Sequence, residues 1–342
     1  MGLLIIFIVH HIPYRFYSTL SVIFLIAAIF TLAFTLAMGT QYNEAQRWVT
    51  LPGLGFTIQT SDFAKLALVM YIARVLSIKQ NKIRDFKSAF LPIAIPVSIV
   101  CLLILPENFS SAALLFGVSM VLMFIGRIRF KYLMLFILVG ILALGAYIGI
   151  ASLVDGENRI ETWEQRIASY RNQDNADNYQ VEQAKIAIVN GGVFGKGPGN
   201  STQRNFLPQP YSDFIFAIII EEYGLIGGVI IVFLYLYLLF RTGVIVRRSD
   251  RTFPAFLAIG LGIILVFQAM VNMGVAVNLL PVTGQTLPLV SMGGTSMLFT
   301  SVSFGIILGI SRSLQEKEEE QQQLEEEQQQ TVTAEEENVQ EE

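Results

Sequence analysis

Apolar residues in this chain run in stretches too long and too numerous for a soluble fold. Stretches at about 16–38, 62–78, 88–105, 109–126, 131–154, 213–240, 253–277 and 286–311 each approach the ~20 residues that a helix needs to cross hydrocarbon. They predict eight or so transmembrane helices. The stretch 62–78 is the most polar, because it carries Asp62, Lys65 and Arg74. A further apolar piece, Leu3 to Val9, is too short to span. It lacks the basic start and small-residue cleavage site of a signal peptide, so it reads as the end of a helix whose beginning is absent. No repeat of solenoid type, at 20–50-residue spacing, is visible.

Composition fits the pattern. Hydrophobic residues are 53% of the 342 and charged residues only 15%, with a mean hydropathy of +0.56. A bilayer solvates that much apolar surface; a soluble domain of this size cannot hide it. The net charge of −4 misleads, because Glu316 to Glu342 holds twelve acids and one lysine. Without that tail, 22 basic residues stand against 15 acidic ones, a body near +7. The basic residues gather at alternate connections: Lys79, Lys82, Arg84 and Lys87; Arg127, Arg129 and Lys131; Arg241, Arg247, Arg248 and Arg251; then Arg312 and Lys317. The positive-inside rule places those loops and the C-terminus in the cytoplasm, and the loops at 39–61, 106–107, 155–212 and 278–285 outside. Topology thus accounts for the basic loops, and nothing points to nucleic acid. The lone Cys101 lies in an apolar run and suits packing rather than redox chemistry.

Two regions differ from the membrane body. Residues 155–212, rich in Asn, Gln, Gly and charge, predict a long outer loop without apolar periodicity, functional or disordered. The Glu/Gln-rich tail over 313–342 has too little apolar content for a core and predicts a disordered or fraying helical segment. The domain plan is therefore a membrane body over 1–312, including the outer loop, followed by an acidic tail.

Ionisable groups at the edge of hydrocarbon are costly unless they are used. Asp213 precedes an apolar run and follows Ser212, a candidate N-cap, which places the carboxylate in a first helical turn where the dipole favours an anion. Asp213 either caps that helix or serves as a general base. Helix geometry sets Glu221 and Glu222 roughly 12–13 Å deeper, too far to form a carboxylate pair with it. They are expected to be structural. Asp62 and Lys65, three apart, share a helix face and can neutralise each other; alternatively, Arg47 and Lys65 form a cationic pocket suited to phosphates. Pro288, Gly293 and Gly294 within one span predict a broken or kinked helix beside a cavity. Ser291, Gly293 and Gly294 there, with Lys196 in the glycine-dense segment 191–199, complete the candidate substrate-binding set. The glycines carry no Walker-type ending. Two histidines (His10 and His11) and one cysteine offer no metal cluster.

In this order along the chain, Ala45–Trp48, Gln59–Lys65, Gly191–Asn200, Tyr211–Gly224 and Gly284–Ser296 resemble the motifs of the SEDS family, the FtsW/RodA group of bacterial cell-wall glycosyltransferases. The resemblance extends to Arg312. It implies an all-α polytopic membrane bundle of ten helices, here without the first helix and part of the second. It also implies polymerisation of lipid II, carried on undecaprenyl pyrophosphate, at the outer face of the bacterial cytoplasmic membrane. Asp213 would be the base of an inverting glycosyl transfer. Arg47, Asp62 and Lys65 would lie at the substrate phosphates, with Mg or Mn a possible companion. A class B penicillin-binding protein and other divisome proteins would be the partners. Thr283-Gly284-Gln285-Thr286-Leu287-Pro288 is similar to the version in the division branch, FtsW, rather than the elongation branch, RodA. Departures occur at Pro106-Glu107-Asn108, at Ser291-Met292-Gly293-Gly294 and at Tyr223. The competing function class is a lipid II flippase or transporter, for which kinked spans and intramembrane charge are also expected.

Overall fold

The polar stretch 62–78 turns out to be the most enclosed element. In a computed structural model that describes residues 1–38, 40–42, 45–50, 57–151 and 179–341, helix α3 (Thr60–Ile78) has Ala64, Ala67, Leu68, Met70, Ile72, Ala73 and Leu76 fully buried. It packs against α2 (Tyr14–Met38), α4 (Leu91–Ile104), α5 (Phe109–Ile125) and α9 (Thr252–Ala276). Surrounded by protein rather than lipid, it can carry a charged pair that an outer helix could not. The remaining helices are α1 (Gly2–Val9), α6 (Phe130–Ala151), α7 (Tyr179–Gly191), α8 (Ile215–Arg248) and α10 (Gly294–Glu341).

Among the described residues, six apolar helical stretches are long enough to cross a membrane: α2, Phe86–Ile104, α6, α8, α9 and α10. Helix α6 leaves Leu138, Ile141 and Leu142 at least half exposed, a surface that a bilayer covers and water would not. The chain is a multi-pass membrane protein with a helical bundle fold.

Three expectations are corrected. The segment 39–61 is not a plain loop: β1 (Thr40–Tyr42), β2 (Ala45–Thr50) and β3 (Thr57–Gln59) form an antiparallel sheet in the order β1-β2-β3. The expected outer loop 155–212 contains α7, whose Val181, Ala184, Ala187 and Gly191 are buried at three- to four-residue spacing. That spacing is helical periodicity, so the segment does have it. The predicted span 286–311 begins only at Gly294; residues 281–287 form neither helix nor strand. The tail, expected to be disordered or a fraying helix, continues α10 as helix to Glu341. Glu and Gln are good helix formers and no Gly or Pro interrupts them.

Helix α8 is the element that positions the candidate site. Its 34 residues would measure ~51 Å as one straight helix, well beyond the ~30 Å of hydrocarbon. At Gly224 the backbone leaves helical geometry, with φ 73° and ψ −175°. A Cβ placed on Gly228 would meet Ile220 at 2.9 Å and Phe216 at 3.5 Å. Residues 8 and 12 apart touch only if the chain doubles back. The predicted span 213–240 is therefore a helical hairpin: 215–223 lies against the segment that follows Gly224.

Candidate functional site

The turn before α8 carries Asp213. Ser212 is not the N-cap: helix α8 starts at Ile215, its N-cap is Phe214, and Ser212 and Asp213 lie in the preceding turn. The Ser212 hydroxyl is engaged instead, donating to Asp213 Oδ1 at 2.9 Å. The turn is also fixed through its backbone. Asn272 Nδ2, on α9, donates to the Asp213 carbonyl at 2.8 Å. The Ser291 hydroxyl donates to the Ser212 carbonyl at 2.6 Å, and Met292 N–H donates to the Tyr211 carbonyl at 2.8 Å. Asp213 itself is half-buried. An aspartate so held, with its neighbours' rotamers spoken for, is pre-oriented for proton transfer.

The segment between α9 and α10 forms a strap that links this turn to α3. Asn272 Nδ2 also donates to the Gln285 carbonyl at 2.7 Å, and Gln285 Nε2 to the Ser111 hydroxyl at 2.7 Å. Leu287 N–H donates to Ser291 Oγ at 2.7 Å, and the Tyr235 hydroxyl donates to the Pro288 carbonyl. Gln268 Nε2 donates to the Thr286 carbonyl at 3.0 Å, while its Oε1 accepts from Lys65 Nζ at 3.3 Å. Lys65 pairs with Asp62 at 2.7 Å, both nearly buried. Leu289, on the strap, holds φ at 64°, a left-handed conformation that costs a branched residue roughly 1–3 kcal/mol. The strain sits four residues before Gly293, in the stretch that touches the Asp213 turn, where the surrounding hydrogen bonds maintain it.

The sequence-derived residues divide into two groups. Ser291 reaches the Asp213 turn through the Ser212 carbonyl, and Asp62 and Lys65 join them through Gln268 and the strap. Gly293 faces Thr286, whose Cγ2 would lie 3.2 Å from an added Cβ, and Gly294 opens α10. Lys196 stands apart: its ammonium binds Glu221 at 2.8 Å and the Thr202 hydroxyl at 3.1 Å. The Arg47 side chain lies outside the described residues; its backbone belongs to β2. Asn272, Gln268, Gln285 and Tyr235 escaped the sequence reading. For Asn272, Gln268 and Tyr235 the signal was available, since each is a polar group inside an apolar run.

Glu221 is structural, as expected, and its role is specific. Fully buried, it accepts from Lys196, from the hydroxyls of Ser201 at 2.5 Å and Thr202 at 2.8 Å, and from Gln203 N–H at 3.2 Å. Glu222 gives its carbonyl to Gly197 N–H at 2.9 Å. These bonds, with Leu225 N–H to the Gly192 carbonyl at 2.9 Å, clamp the glycine-rich segment around the bend at Gly224. Glu221→Ala would leave several donors in that clamp without an acceptor, at a cost of about 3 kcal/mol or more. Limited proteolysis should then cut the 191–205 segment much faster, with Glu221→Gln intermediate.

Lys65→Ala tests the other pole. It leaves Asp62 buried without its counter-charge, a change worth about 3–5 kcal/mol. The melting temperature of the purified protein should fall accordingly. The paired change Asp62→Asn with Lys65→Met should recover most of that stability while leaving the site without its cation.

Among known proteins, the family model described as cell cycle protein, FtsW/RodA/SpoVE, matches residues 1–316. A protein named probable peptidoglycan glycosyltransferase FtsW, from Geobacter sulfurreducens, is 35% identical over 322 residues, covering 92% of this chain and 83% of its own. Stage V sporulation protein E of Bacillus subtilis is 32% identical over 320 residues, 91% of this chain and 84% of that one. Among solved structures, a chain from a peptidoglycan synthase complex that coordinates polymerization and crosslinking superposes with a TM-score of 0.70 at 26% identity. It covers 92% of this chain and 87% of that one. The rod shape determining protein RodA of Thermus thermophilus gives 0.64 at 25% identity, covering 91% and 84%.

Proposed function

Because this chain belongs to the FtsW/RodA/SpoVE family of cell cycle proteins, we propose that it is a peptidoglycan glycosyltransferase that polymerises lipid II into glycan strands. The observation that carries the reading is the fixed Asp213 turn, tied through Asn272, Ser291 and the strap to the Lys65 ammonium. A base and a cation are thus set in one hydrogen-bonded frame.

In the reaction, the Asp213 carboxylate takes the proton of the acceptor sugar's 4-hydroxyl. The oxygen attacks the donor's anomeric carbon from the face opposite its phosphate, the bond to undecaprenyl pyrophosphate breaks, and the configuration inverts. Pyrophosphate is already a good leaving group, so one base with electrostatic stabilisation suffices. Lys65 and Arg47 neutralise the departing phosphates, and Arg47 suits a bidentate contact. The basic loops face the cytoplasm, which sets Asp213 toward the outer leaflet of the bacterial cytoplasmic membrane. The Thr283–Pro288 motif favours a role in division, with a class B penicillin-binding protein as partner and the wider divisome around it.

A divalent cation, Mg or Mn, would have to share its ligands with the substrate. Among the described residues no group of three His, Cys, Asp or Glu side chains is placed to hold a metal. Magnesium commonly takes one carboxylate together with substrate phosphates, and Asp213 could supply that carboxylate. No step of the mechanism is routed through it.

The test is polymerisation of purified lipid II by the purified chain together with a class B penicillin-binding protein whose transpeptidase is blocked. Glycan strands with β-linked sugars are expected. Movement of lipid II across a vesicle membrane without strand formation would overturn the proposal in favour of a flippase.

A further inference from the structure

Three arginines face one open cavity on the side of the molecule that bears the basic loops, far from Asp213. The cavity, about 990 Å³ including the space at its mouth, lies where α2 and α9 begin and α3 ends. Arg15 comes from α2, Arg74 from α3 and Arg251 from the residue before α9. Four ion pairs occur among the described residues, Asp62–Lys65, Lys196–Glu221, Arg248–Glu318 and Arg312–Glu316; none of them involves these three arginines. One acid, Asp250, lines the cavity beside them.

The arginines are arranged rather than scattered. Arg74 is half-buried, one turn from the end of an otherwise enclosed helix, and donates through Nη1 to the Ser18 carbonyl. That bond holds the guanidinium against α2. The Ser77 and Thr252 hydroxyls meet at 2.6 Å and join α3 to the start of α9. No side chain caps that start, since the N-cap Arg251 makes no capping hydrogen bond. A partly buried guanidinium with no carboxylate is costly unless an anion visits it. Three planar forks, two hydroxyls and a helix start match the oxygens of a phosphoryl group. The position at three helix ends is headgroup depth for a membrane protein.

We infer that this cavity is a binding site for a phosphate-bearing anion, formed by Arg15, Arg74 and Arg251 with Ser77 and Thr252. Occupied, it fastens α2, α3 and α9 together at one end. The opposite ends of α3 and α9 carry Asp62, Lys65, Gln268 and Asn272, so the anion steadies the frame of the candidate site from a distance. The phosphoryl group belongs either to an anionic phospholipid or to a free phosphate compound.

Native mass spectrometry of the full chain in detergent distinguishes the two, with phosphatidylglycerol, phosphatidylcholine and inorganic phosphate as separate probes. Retained phosphatidylglycerol, poorly displaced by phosphate, assigns the site to a lipid headgroup. Saturable stabilisation by inorganic phosphate that competes with phosphatidylglycerol assigns it to a soluble anion. In either case the double variant R15Q/R251Q should weaken binding about tenfold or more, and R74Q should do the same. D250N should tighten binding by removing the one negative lining group, an effect opposite in sign to anything a damaged fold produces. Equal retention of both phospholipids with no stabilisation by inorganic phosphate, or binding unchanged in R15Q/R251Q, would overturn the proposal.

Discussion

Asp213→Asn should abolish glycan polymerisation while leaving the protein folded. The amide keeps the shape of the carboxylate, and the Ser212 hydroxyl that now donates to Oδ1 at 2.9 Å can donate to the amide oxygen. The bonds that the backbone carbonyls of Asp213 and Ser212 accept from Asn272 and Ser291 do not depend on the Asp213 side chain. What the amide lacks is the ability to accept a proton at neutral pH. Loss of a positioned general base costs about 10²–10⁴ in rate. A gel of glycan strands formed from lipid II, beside a melting curve of the same preparation, reads both halves of the expectation. Strand formation at the wild-type rate would remove Asp213 from the chemistry. A lowered melting temperature would return it to the rank of a turn residue.

Gly224→Ala should rank with the most damaging single methyl additions among the described residues. The φ of 73° with ψ of −175° belongs to a region that only glycine populates readily. An added Cβ would also overlap the Val193 carbonyl, which the clamp holds in place. Strain alone costs about 1–3 kcal/mol, and backbone overlap adds to it. Gly192→Ala separates the two contributions. Gly192 also has a positive φ, 53°, but nothing lies within 4 Å of its added Cβ. It should lose about 1 kcal/mol in thermal denaturation, less than Gly224→Ala loses. Activity should fall further than stability in Gly224→Ala, since an ångström of misplacement at a reacting group can cost ~10²-fold. Equal behaviour of the two variants would mean that the bend is not held by close backbone approach.

The bundle was legible because lipid-facing helices announce themselves by run length. Helix α6, from Phe130 to Ala151, needed nothing but its apolar count. Of the two readings open for Asp62 and Lys65, three-residue spacing on a helix face allowed the ion pair, and the structure has it at 2.7 Å. Asp213 stood out as an acid at the mouth of an apolar run. The hairpin at Gly224 did not, since both of its arms are apolar and only a backbone reversal separates them. The strap was read as a broken helix, which caught Pro288 and the glycines but not the partners. Gln268 and Asn272 lie in a helix otherwise apolar, and their targets are backbone carbonyls of residues 286, 285 and 213. A carbonyl has no sequence signature, so those bonds were invisible before folding. Helix α7 was missed for a plainer reason: its small buried residues, Ala184 and Ala187, mark a helix face less strongly than leucines would.

The reversal at Gly224 makes a lever of the short helix 215–223. Nine residues, ~13 Å of rigid rod, run from the Asp213 turn to the bend. At the bend, backbone bonds from Lys196 and Gly197 and the buried Glu221 grip the rod. That grip presents the exposed Phe194, 82% accessible, at the surface. Whatever presses on this rim moves one end of a stiff rod, and the other end is the carboxylate.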